Sequence, residues 1–157
     1  MVYILLIHIT LLNLSNVENE QINKVLDNLH KYASEANGEK YFQLFNDQAV
    51  FHGTDLNERW SIDEFKKYAQ NRFNTGTGWT YKSLERNIFI NSSNTTAWFD
   101  EILINEKYGK FRGTGVLSKV DGMWKIDQYN LLFPIPNDLL LKYTKEVKEY
   151  LKNNQIK

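Results

Sequence analysis

Three patterns of apolar and polar residues follow one another along the chain, and the first is helical. Beyond residue 15, apolar side chains recur every three or four positions as far as Ala36, which is the spacing of one face of an α-helix. Ser15 and Glu18 have the spacing of a capping box, so the pattern predicts that the helix begins there. Gly38 can adopt a left-handed conformation, and we expect the helix to end beside it.

Two shorter elements and a second amphipathic helix come next. The sequence predicts a short helix over residues 39–45 and a first strand over residues 48–52. Ser61 and Glu64 form another capping box, and apolar residues at helical spacing follow as far as Phe73. The polar stretch between the strand and this helix therefore leads into a helix start.

The second pattern, between Gly78 and Phe133, is typical of β-strands. Aromatic and β-branched residues dominate four segments, which are residues 79–90, 96–105, 110–120 and 123–133. Turn-like sequences separate them, and Asp121 followed by Gly122 gives the clearest hairpin signal. Consecutive hairpins of this kind predict an antiparallel meander.

The third pattern is helical again. Pro134 and Pro136 cannot continue a central strand, and apolar residues at helical spacing run from Leu140 to Leu151. Helices and a long antiparallel sheet bury their apolar faces against one another. The sequence therefore predicts the α+β class, with a C-terminal helix after the sheet.

The first 15 residues, MVYILLIHITLLNLS, form an apolar run that is too short to cross a bilayer but long enough for a secretory leader. No lysine or arginine precedes the run, and its end lacks a clear cleavage motif. We therefore interpret residues 1–15 as either a leader or an N-terminal extension such as an extra strand, and residues 16–157 as the working domain. A cytoplasmic location is favoured, and export is expected only if the run is cleaved.

Composition narrows the classes of function. A chain of 157 residues, 42% of them apolar, has the size of one domain and can bury one core. Its 19 basic and 19 acidic residues balance, so no strong positive field favours nucleic acid as a partner. It has no cysteine, and its three histidines lack the spacing of a metal pair. We expect a small neutral ligand or a protein partner, and no metal, no cofactor, no nucleic-acid partner and no stable membrane span.

Several ordered motifs between residues 18 and 140 resemble one superfamily. They are GTDLNERW, the pair Gly78 and Trp79, AWFDEIL, GTGVL, and WKIDQYNL with PIPN after it. Together they resemble the SnoaL-like branch of the nuclear transport factor 2-like superfamily. The resemblance implies a cone, in which a curved antiparallel sheet wraps around the N-terminal helices and a central pocket opens between them. It also implies a homodimer through the sheet.

The superfamily that these motifs resemble does not decide the function. It contains ketosteroid isomerase, scytalone dehydratase, limonene epoxide hydrolase and polyketide cyclases, as well as modules without catalysis. The enzymes share a dry pocket in which acids, tyrosines or histidines have shifted pKa values, so that a proton moves near neutral pH. The polar side chains that point inward therefore become the candidates.

Alternation along the last strand indicates which of its side chains face the pocket. Trp124 and Ile126 are core residues, so a regular strand would place Gln128 and Asn130 on the same concave face. There the two amides could hydrogen-bond a ligand carbonyl, or they could satisfy protein groups instead. We take both as candidate substrate-binding residues.

Glu101 is the most informative carboxylate, because it shares the apolar face of its strand with Phe99 and Leu103. Burial without a partner would raise its pKa and make it a catalytic acid or base. A nearby arginine would keep it ionised and structural, and Arg59 and Arg112 are available. The ion pair is favoured, and both arginines are also candidates for substrate binding.

The stretch FHGTDLNERWSIDEF, residues 51–65, supplies two further carboxylates. Asp55 and Glu58, with Arg59, could close a turn and bond the free amides of the helix that follows. Alternatively, they lie at the pocket mouth, with Asp55 as a proton-transfer group and Glu58 as a ligand-binding group. The sequence leaves both alternatives open.

His52, Trp60 and Trp79 complete the candidate site. His52 is a third catalytic candidate, because the ordinary pKa of histidine suits acid-base chemistry near pH 7. Trp60 and Trp79 are expected in the pocket wall, where a flat ligand would contact them.

Two hypotheses for the function remain open. The first is a cofactor-free isomerase, lyase or hydrolase, in which Glu101, Asp55 or His52 moves a proton on a small apolar carbonyl, epoxide or hydroxyl compound. The second is a noncatalytic ligand-binding or dimerisation module, with closed ion pairs and a pocket filled by tryptophan. A cavity and an inward carboxylate without a full set of partners would favour the enzyme.

Overall fold

The computed structural model describes the backbone of residues 2–154 and the side chains of residues 16–154. Helices, strands and a last helix follow one another as the patterns predict, which confirms the α+β class. In chain order, the elements are α1 Val2–Ser34, α2 Gly38–Phe42, β1 Phe45–His52, β2 Arg59–Ser61, α3 Ile62–Asn74, β3 Lys82–Ile90, β4 Thr96–Asn105, β5 Gly109–Val120, β6 Met123–Leu132 and α4 Asn137–Asn153. The short edge strand β2 has no counterpart in the prediction.

The six strands form one open, curved sheet in the order β2-β1-β6-β5-β4-β3. Strands β3 to β6 make the predicted antiparallel meander. Strand β1 pairs with β6 in parallel, so the sheet is mixed and not purely antiparallel as predicted. Asp121 and Gly122 both have positive φ in the β5–β6 turn, which fits the two-residue hairpin expected there.

The core lies between the concave face of the sheet and the helices α1 and α3. One stripe of α1 is buried there, and burial of a side chain such as Leu26 stabilises the fold by about 1.5–3 kcal/mol. The principal core residues are Ile22, Leu26, Leu29, Phe51, Phe65, Ala69, Phe73, Phe99, Leu117 and Ile126. Ser61 and Glu64 form the predicted capping box at the start of α3.

The predicted start of α1 is wrong, because the helix runs from Val2 to Ser34 without a break at Ser15. Glu18 does not act as a capping residue. Its buried carboxylate accepts hydrogen bonds from Lys119 Nζ at 2.6 and 2.7 Å and from Trp124 Nε1 at 2.7 Å. These partners on β5 and β6 tie α1 to the sheet.

The N-terminal run is part of a helix and not an extra strand. Whether residues 1–15 are a leader or an extension stays a prediction, because their side chains lie outside the described residues. Within the part of the chain that the structure describes, no helix combines the length and the apolar character needed to cross a bilayer.

The transition from α1 to α2 also differs from the prediction. The residue with positive φ is Ala36, at 53°, and Gly38 instead begins α2. Asn37 explains the difference, because its side chain accepts a hydrogen bond from Lys40 N at 3.2 Å and caps α2 directly. At the other end of the chain, α4 forms as predicted, and none of its described residues is buried.

A β-bulge in β6 inverts the alternation on which the site prediction relied. Ile126 pairs with Leu117, but Gln128 pairs with Val116, so Asp127 is an extra residue without a partner in β5. Side chains that follow the bulge therefore point to the opposite face from the one predicted. Asp127 Oδ1 accepts hydrogen bonds from Ser118 Oγ at 3.1 Å and from the side-chain amide of Asn46, which hold the bulge.

Candidate functional site

A cavity of about 520 Å³ opens between α1, α3 and the concave face of the sheet. Much of its wall is aromatic. Phe51 and Phe65 are stacked with their ring centroids 4.0 Å apart, and Trp60 stacks on Tyr68 at 4.8 Å. Such a wall suits a flat, apolar molecule, because aromatic rings give it a large contact area at fixed orientation.

His30 is the imidazole of this wall, and it is bonded to Glu101. The Nε2 atom of His30 lies 2.9 Å from Oε1 of Glu101, and the Glu101 side chain is completely buried. Tyr129, also in the cavity wall, donates its hydroxyl hydrogen to the same oxygen at 3.0 Å. Glu101 therefore lies behind the wall and reaches the cavity through two other side chains.

The second carboxylate oxygen of Glu101 is bound by Arg86. Arg86 Nε donates to Oε2 at 3.0 Å, and Nη2 lies 2.9 Å from the same atom. Its Nη1 donates to Asp27 Oδ1 at 2.8 Å and to Asn23 Oδ1 at 2.9 Å, so α1 holds the guanidinium in place. The predicted ion pair of Glu101 is thus present, but its partner is Arg86 and not Arg59 or Arg112.

The charges around Glu101 decide its ionisation. Burial alone would raise its pKa, but the hydrogen bond and charge of His30 and the charge and hydrogen bond of Arg86 together outweigh burial, so the pKa is lowered. Glu101 is therefore an ionised acceptor at neutral pH. A neutral His30 ring must then donate from Nε2, which leaves Nδ1 as its unprotonated nitrogen.

Tyr129 remains a hydrogen-bond donor for the same reason. Its pKa is raised well above the ordinary value, first by burial and then by the negative charge and the hydrogen bond of Glu101. Tyr129 thus stays protonated beside an ionised carboxylate and restrains the position of Oε1. Burial also raises the pKa of Tyr41 in the cavity wall.

Gly113 makes room for this cluster from β5. A Cβ atom at this position would lie 2.5 Å from the hydroxyl oxygen of Tyr129 and 2.9 Å from Oε1 of Glu101. Gly113 pairs with Glu101 across the β4–β5 ladder, so the absence of a side chain on one strand admits the carboxylate of the next.

A match to a family model identifies the family of the chain. A model of the SnoaL-like domain matches residues 22–136, which is more than half of the chain. The chain belongs to this family. The matched region contains His30, Arg86, Glu101 and Tyr129. None of the curated protein sequences compared with the chain matches it.

Solved structures with the same architecture confirm the nuclear transport factor 2-like fold. A protein from Novosphingobium aromaticivorans, provisionally assigned as a scytalone dehydratase, is 17% identical with a TM-score of 0.65, covering 77% of this chain and 87% of its own. An NTF2-like protein of unknown function from Pseudomonas putida is 9% identical with a TM-score of 0.64, covering 79% and 91%. A provisional aromatic ring hydroxylase from Novosphingobium aromaticivorans is 14% identical with a TM-score of 0.63, covering 76% and 90%.

In this SnoaL-like domain, three of the predicted site residues lie in the cavity wall, namely Glu58, Trp60 and Trp79. Contact of any of them with a ligand stays a prediction. The carboxylate of Glu58 folds back on its own turn, where Oε2 accepts a hydrogen bond from Asp55 N at 3.1 Å. Asp55 is exposed, does not line the cavity, and accepts from Asn57 N at 2.9 Å, so the turn-closing alternative describes it better.

Three other candidates lie away from the cavity of the SnoaL-like domain. His52 follows the buried Phe51 along β1 and therefore points to the opposite, outer face of the sheet. Arg59 and Arg112 are exposed, and neither belongs to the cavity wall. The placement of these three side chains in the pocket is therefore wrong.

The predicted placement of Gln128 and Asn130 is also wrong, because the bulge at Asp127 turns them outward. Tyr129, which lies between them in the sequence, is the residue that is buried on the concave side. On the outer face, Gln128 Nε2 donates to Asn130 Oδ1 at 3.1 Å, and Asn130 Nδ2 donates to Thr114 Oγ1 at 3.1 Å. Both amides are satisfied by protein groups, which is the alternative that the sequence had left open.

The residues around Glu101 that the pattern did not single out are His30, Arg86 and Tyr129. A signal for His30 was present, since it follows Leu26 by four residues and Leu29 by one on the buried stripe of α1. Arg86 could have been found from hairpin register, because it pairs with Glu101 across β3 and β4. Among residues that the structure describes, no three His, Cys, Asp or Glu side chains converge as a metal site would require.

Proposed function

We propose that this SnoaL-like domain binds a small, flat and largely apolar molecule, and that His30 moves a proton on it without a cofactor. The observation that supports the proposal is the His30–Glu101 pair, in which a cavity-wall imidazole is bonded at 2.9 Å to a buried, ionised carboxylate. Family membership supports small-molecule binding, and the imidazole supplies a group suited to acid-base chemistry near neutral pH.

In this proposal, His30 transfers the proton and Glu101 positions His30. Glu101 fixes the tautomer and orientation of His30 and stabilises the imidazolium that forms when Nδ1 accepts a proton. Glu101 itself has a full set of partners and no path to the ligand except through His30 or Tyr129. The catalytic role predicted for Glu101 thus becomes a positioning role, and His30 becomes the general base and acid.

The reaction class follows from what one imidazole can do in an apolar cavity. In an isomerase or lyase, His30 would take a proton from a carbon or hydroxyl of a carbonyl or hydroxyl compound and return it to that molecule or to the departing hydroxyl group. In a hydrolase, it would take the proton from a water molecule that attacks an epoxide and return it to the oxygen whose bond to carbon breaks. Similar solved structures carry the provisional names of a scytalone dehydratase and an aromatic ring hydroxylase. The two names differ, so they support a small-molecule site and leave the reaction to be measured.

A substrate-independent test uses 5-nitrobenzisoxazole, a flat aromatic compound that opens when a base removes its carbon-bound proton. The C–H bond and the N–O bond break, and the product is a cyanophenolate that is followed by its absorbance. We expect the wild type to accelerate this opening, and His30→Gln to lower the rate by about 100-fold, which is typical for loss of a general base.

His52→Gln is the matched control, because it removes the same side chain from the outer face of the sheet. We expect this variant to keep the wild-type rate. An equal rate in His30→Gln, or no acceleration by the wild type, would contradict the proposal. Circular dichroism of each variant separates loss of the base from loss of the fold.

We propose in addition that the domain self-associates through the outer face of its sheet. Phe89 and Trp98 are each 48% exposed there, and their rings stack with centroids 5.9 Å apart. A stacked aromatic pair in water supports a protein contact, because an interface would bury its apolar surface. This association is compatible with the cavity chemistry, since the cavity opens on the other face.

A further inference from the structure

We infer that the molecule bound in the cavity carries a carboxylate and that Arg72 of α3 binds it. The inference rests on the proposed function, because it concerns the ligand of the same cavity. It goes further by assigning the charge of the ligand and the residue that selects it. Arg72 lines the cavity, although the sequence pattern gave it no role.

The guanidinium group of Arg72 is held in place before any ligand arrives. Its Nη2 donates to the carbonyl oxygen of Gly78 at 3.1 Å, and its central carbon lies 5.2 Å from the ring centroid of Trp79. A cation–π contact and a backbone hydrogen bond together restrict a side chain that is otherwise flexible. Arg72 is therefore oriented at low further cost in conformational entropy.

The guanidinium of Arg72 has N–H donors that can bind an anion. Of the five N–H donors of a guanidinium, Arg72 uses one, for Gly78, and within residues 16–154 no carboxylate lies within 4.0 Å of it. Glu58 is the one carboxylate of the described cavity wall, and its Oε2 is turned toward the Asp55 amide. The positive charge of Arg72 is thus available to the cavity.

A tyrosine of the cavity wall, Tyr81, lies within reach of the charge of Arg72. Tyr81 and Tyr108 both belong to the wall. The pKa of Tyr81 is raised, first by burial and then by Tyr108 and by the charge of Glu58, while the charge of Arg72 acts in the opposite direction. The guanidinium of Arg72 therefore lies close enough to a tyrosine of the wall to act on its pKa, as does the carboxylate of Glu58.

Arg72 and His30 line the same cavity and are linked through backbone contacts with α1. Trp79 follows Gly78 in sequence, and its amide donates to Ala33 O at 3.1 Å, which joins the Arg72 end of the cavity to α1. Ala33 follows His30 by three residues, or about 4.5 Å along a helix axis. Both groups line one cavity of about 520 Å³, which has room for a molecule of one or two fused rings.

These contacts describe a flat, apolar carboxylate. Its ring system would pack on Trp60, Phe65 and Trp79, its carboxylate would accept hydrogen bonds from Arg72, and its reacting atom would face His30. A guanidinium suits a carboxylate because the planar fork of N–H donors matches two oxygen atoms.

Calorimetric titration with 2-naphthoate and its neutral analogue 2-naphthamide tests the inference. We expect the wild type to bind 2-naphthoate about fivefold more tightly than 2-naphthamide, which is the size of effect expected from a partly exposed ion pair. In Arg72→Gln, the affinity for 2-naphthoate should fall to that for 2-naphthamide. The affinity for 2-naphthamide should be the same as in the wild type. Lys66→Gln, which removes an exposed charge from the same helix outside the cavity wall, should leave both affinities unchanged.

Equal affinity of the wild type for the two compounds, equal weakening of both in Arg72→Gln, or binding of neither compound would overturn the inference. The result is separable from the fate of the proposed function. If the wild type binds the two naphthalene compounds equally but still opens 5-nitrobenzisoxazole in a His30-dependent way, only the role of Arg72 is contradicted. If the wild type prefers 2-naphthoate but does not open 5-nitrobenzisoxazole, only the role of His30 is contradicted.

Discussion

At the scale of single residues, Glu101 shows how partners decide what a buried carboxylate does. Its side chain has no exposed area, which by itself would favour the neutral acid. His30, Arg86 and Tyr129 occupy its two oxygens, and the net effect is a lowered pKa. An ionised group with a full set of partners is suited to holding another residue, and His30 is the residue that it holds.

Gly113→Ala tests this cluster from the neighbouring strand. The added methyl group would meet the Tyr129 hydroxyl at 2.5 Å and Glu101 Oε1 at 2.9 Å, so one of the two hydrogen-bonded groups must move. We expect a loss of about 1–3 kcal/mol in the free energy of unfolding, as is typical of overpacking. Urea denaturation measures it.

Thr114→Ala is the control for this substitution, because Thr114 is the next residue of β5 and lies on the outer face with Asn130. The free energy of unfolding should fall clearly less in Thr114→Ala than in Gly113→Ala. An equal free energy of unfolding for Gly113→Ala and Thr114→Ala would contradict the close packing of Gly113 against Glu101 Oε1.

The sequence anticipated some residues of the site and missed others for physical reasons. Alternation placed Glu101 inward correctly, because β4 is regular throughout. The same rule failed for Gln128 and Asn130, since one extra residue in β6 inverts every side chain after it. His30 was passed over because a histidine on an apolar helix face gives no sign of its partner until the helix is placed against the sheet.

At the scale of elements, the fold follows from pattern except where tertiary contacts replace local ones. The capping box at Ser61 and Glu64 formed as predicted, since both side chains are exposed and have each other as nearest partners. The box predicted at Glu18 did not form, because Lys119 and Trp124 bind that carboxylate instead. Parallel pairing of β1 with β6 was equally beyond local pattern, since it joins distant parts of the chain.

Glu18→Gln measures the link between α1 and the sheet. The substitution removes the charge that Lys119 Nζ contacts at 2.6 Å and leaves a partly buried ammonium with a weaker partner. We expect the free energy of unfolding at pH 7 to fall by about 2 kcal/mol, as for other hydrogen bonds to charged groups. Glu20→Gln, an exposed position on the same helix, should have almost no effect.

The same pair of variants gives a pH dependence with a defined sign. Burial raises the pKa of Glu18, but the hydrogen bonds of Lys119 and Trp124 and the charge of Lys119 outweigh burial, so its pKa is below the ordinary value of 4.5. A lowered pKa stabilises the fold above the unfolded-state pKa and loses this contribution as the pH falls through the folded-state value. The difference between wild type and Glu18→Gln should therefore shrink below about pH 4.5. A difference that grows in acid would contradict the assignment.

At the scale of the whole molecule, one sheet separates two surfaces with different side chains. The concave face, with α1 and α3, carries the cavity and its acid-base groups. The outer face carries the exposed Phe89 and Trp98 pair together with polar residues such as Asn130 and Thr114. The family fold was recognisable from ordered sequence motifs, whereas the division of polar residues between the two faces required the register of every strand.

Trp98→Asp tests self-association through the outer face. A charge in place of an indole that is 48% exposed would be buried without a partner in the interface. We expect sedimentation velocity to show a wild-type dimer and a variant whose self-association is at least about tenfold weaker. Leu56→Asp, at an 80% exposed position in the turn before β2, should leave the dimer intact. A monomeric wild type would contradict the proposed association.

The tautomer of His30 is the central claim, and nuclear magnetic resonance observes it directly. In long-range ¹H–¹⁵N spectra of protein labelled at histidine, with His30→Gln to assign the signals, we predict that the neutral form of His30 carries its proton on Nε2. Glu101→Gln should weaken this preference, because the ionised acceptor at 2.9 Å is gone. A wild-type His30 protonated on Nδ1 alone would contradict the account, since the nitrogen assigned to proton transfer would then be occupied.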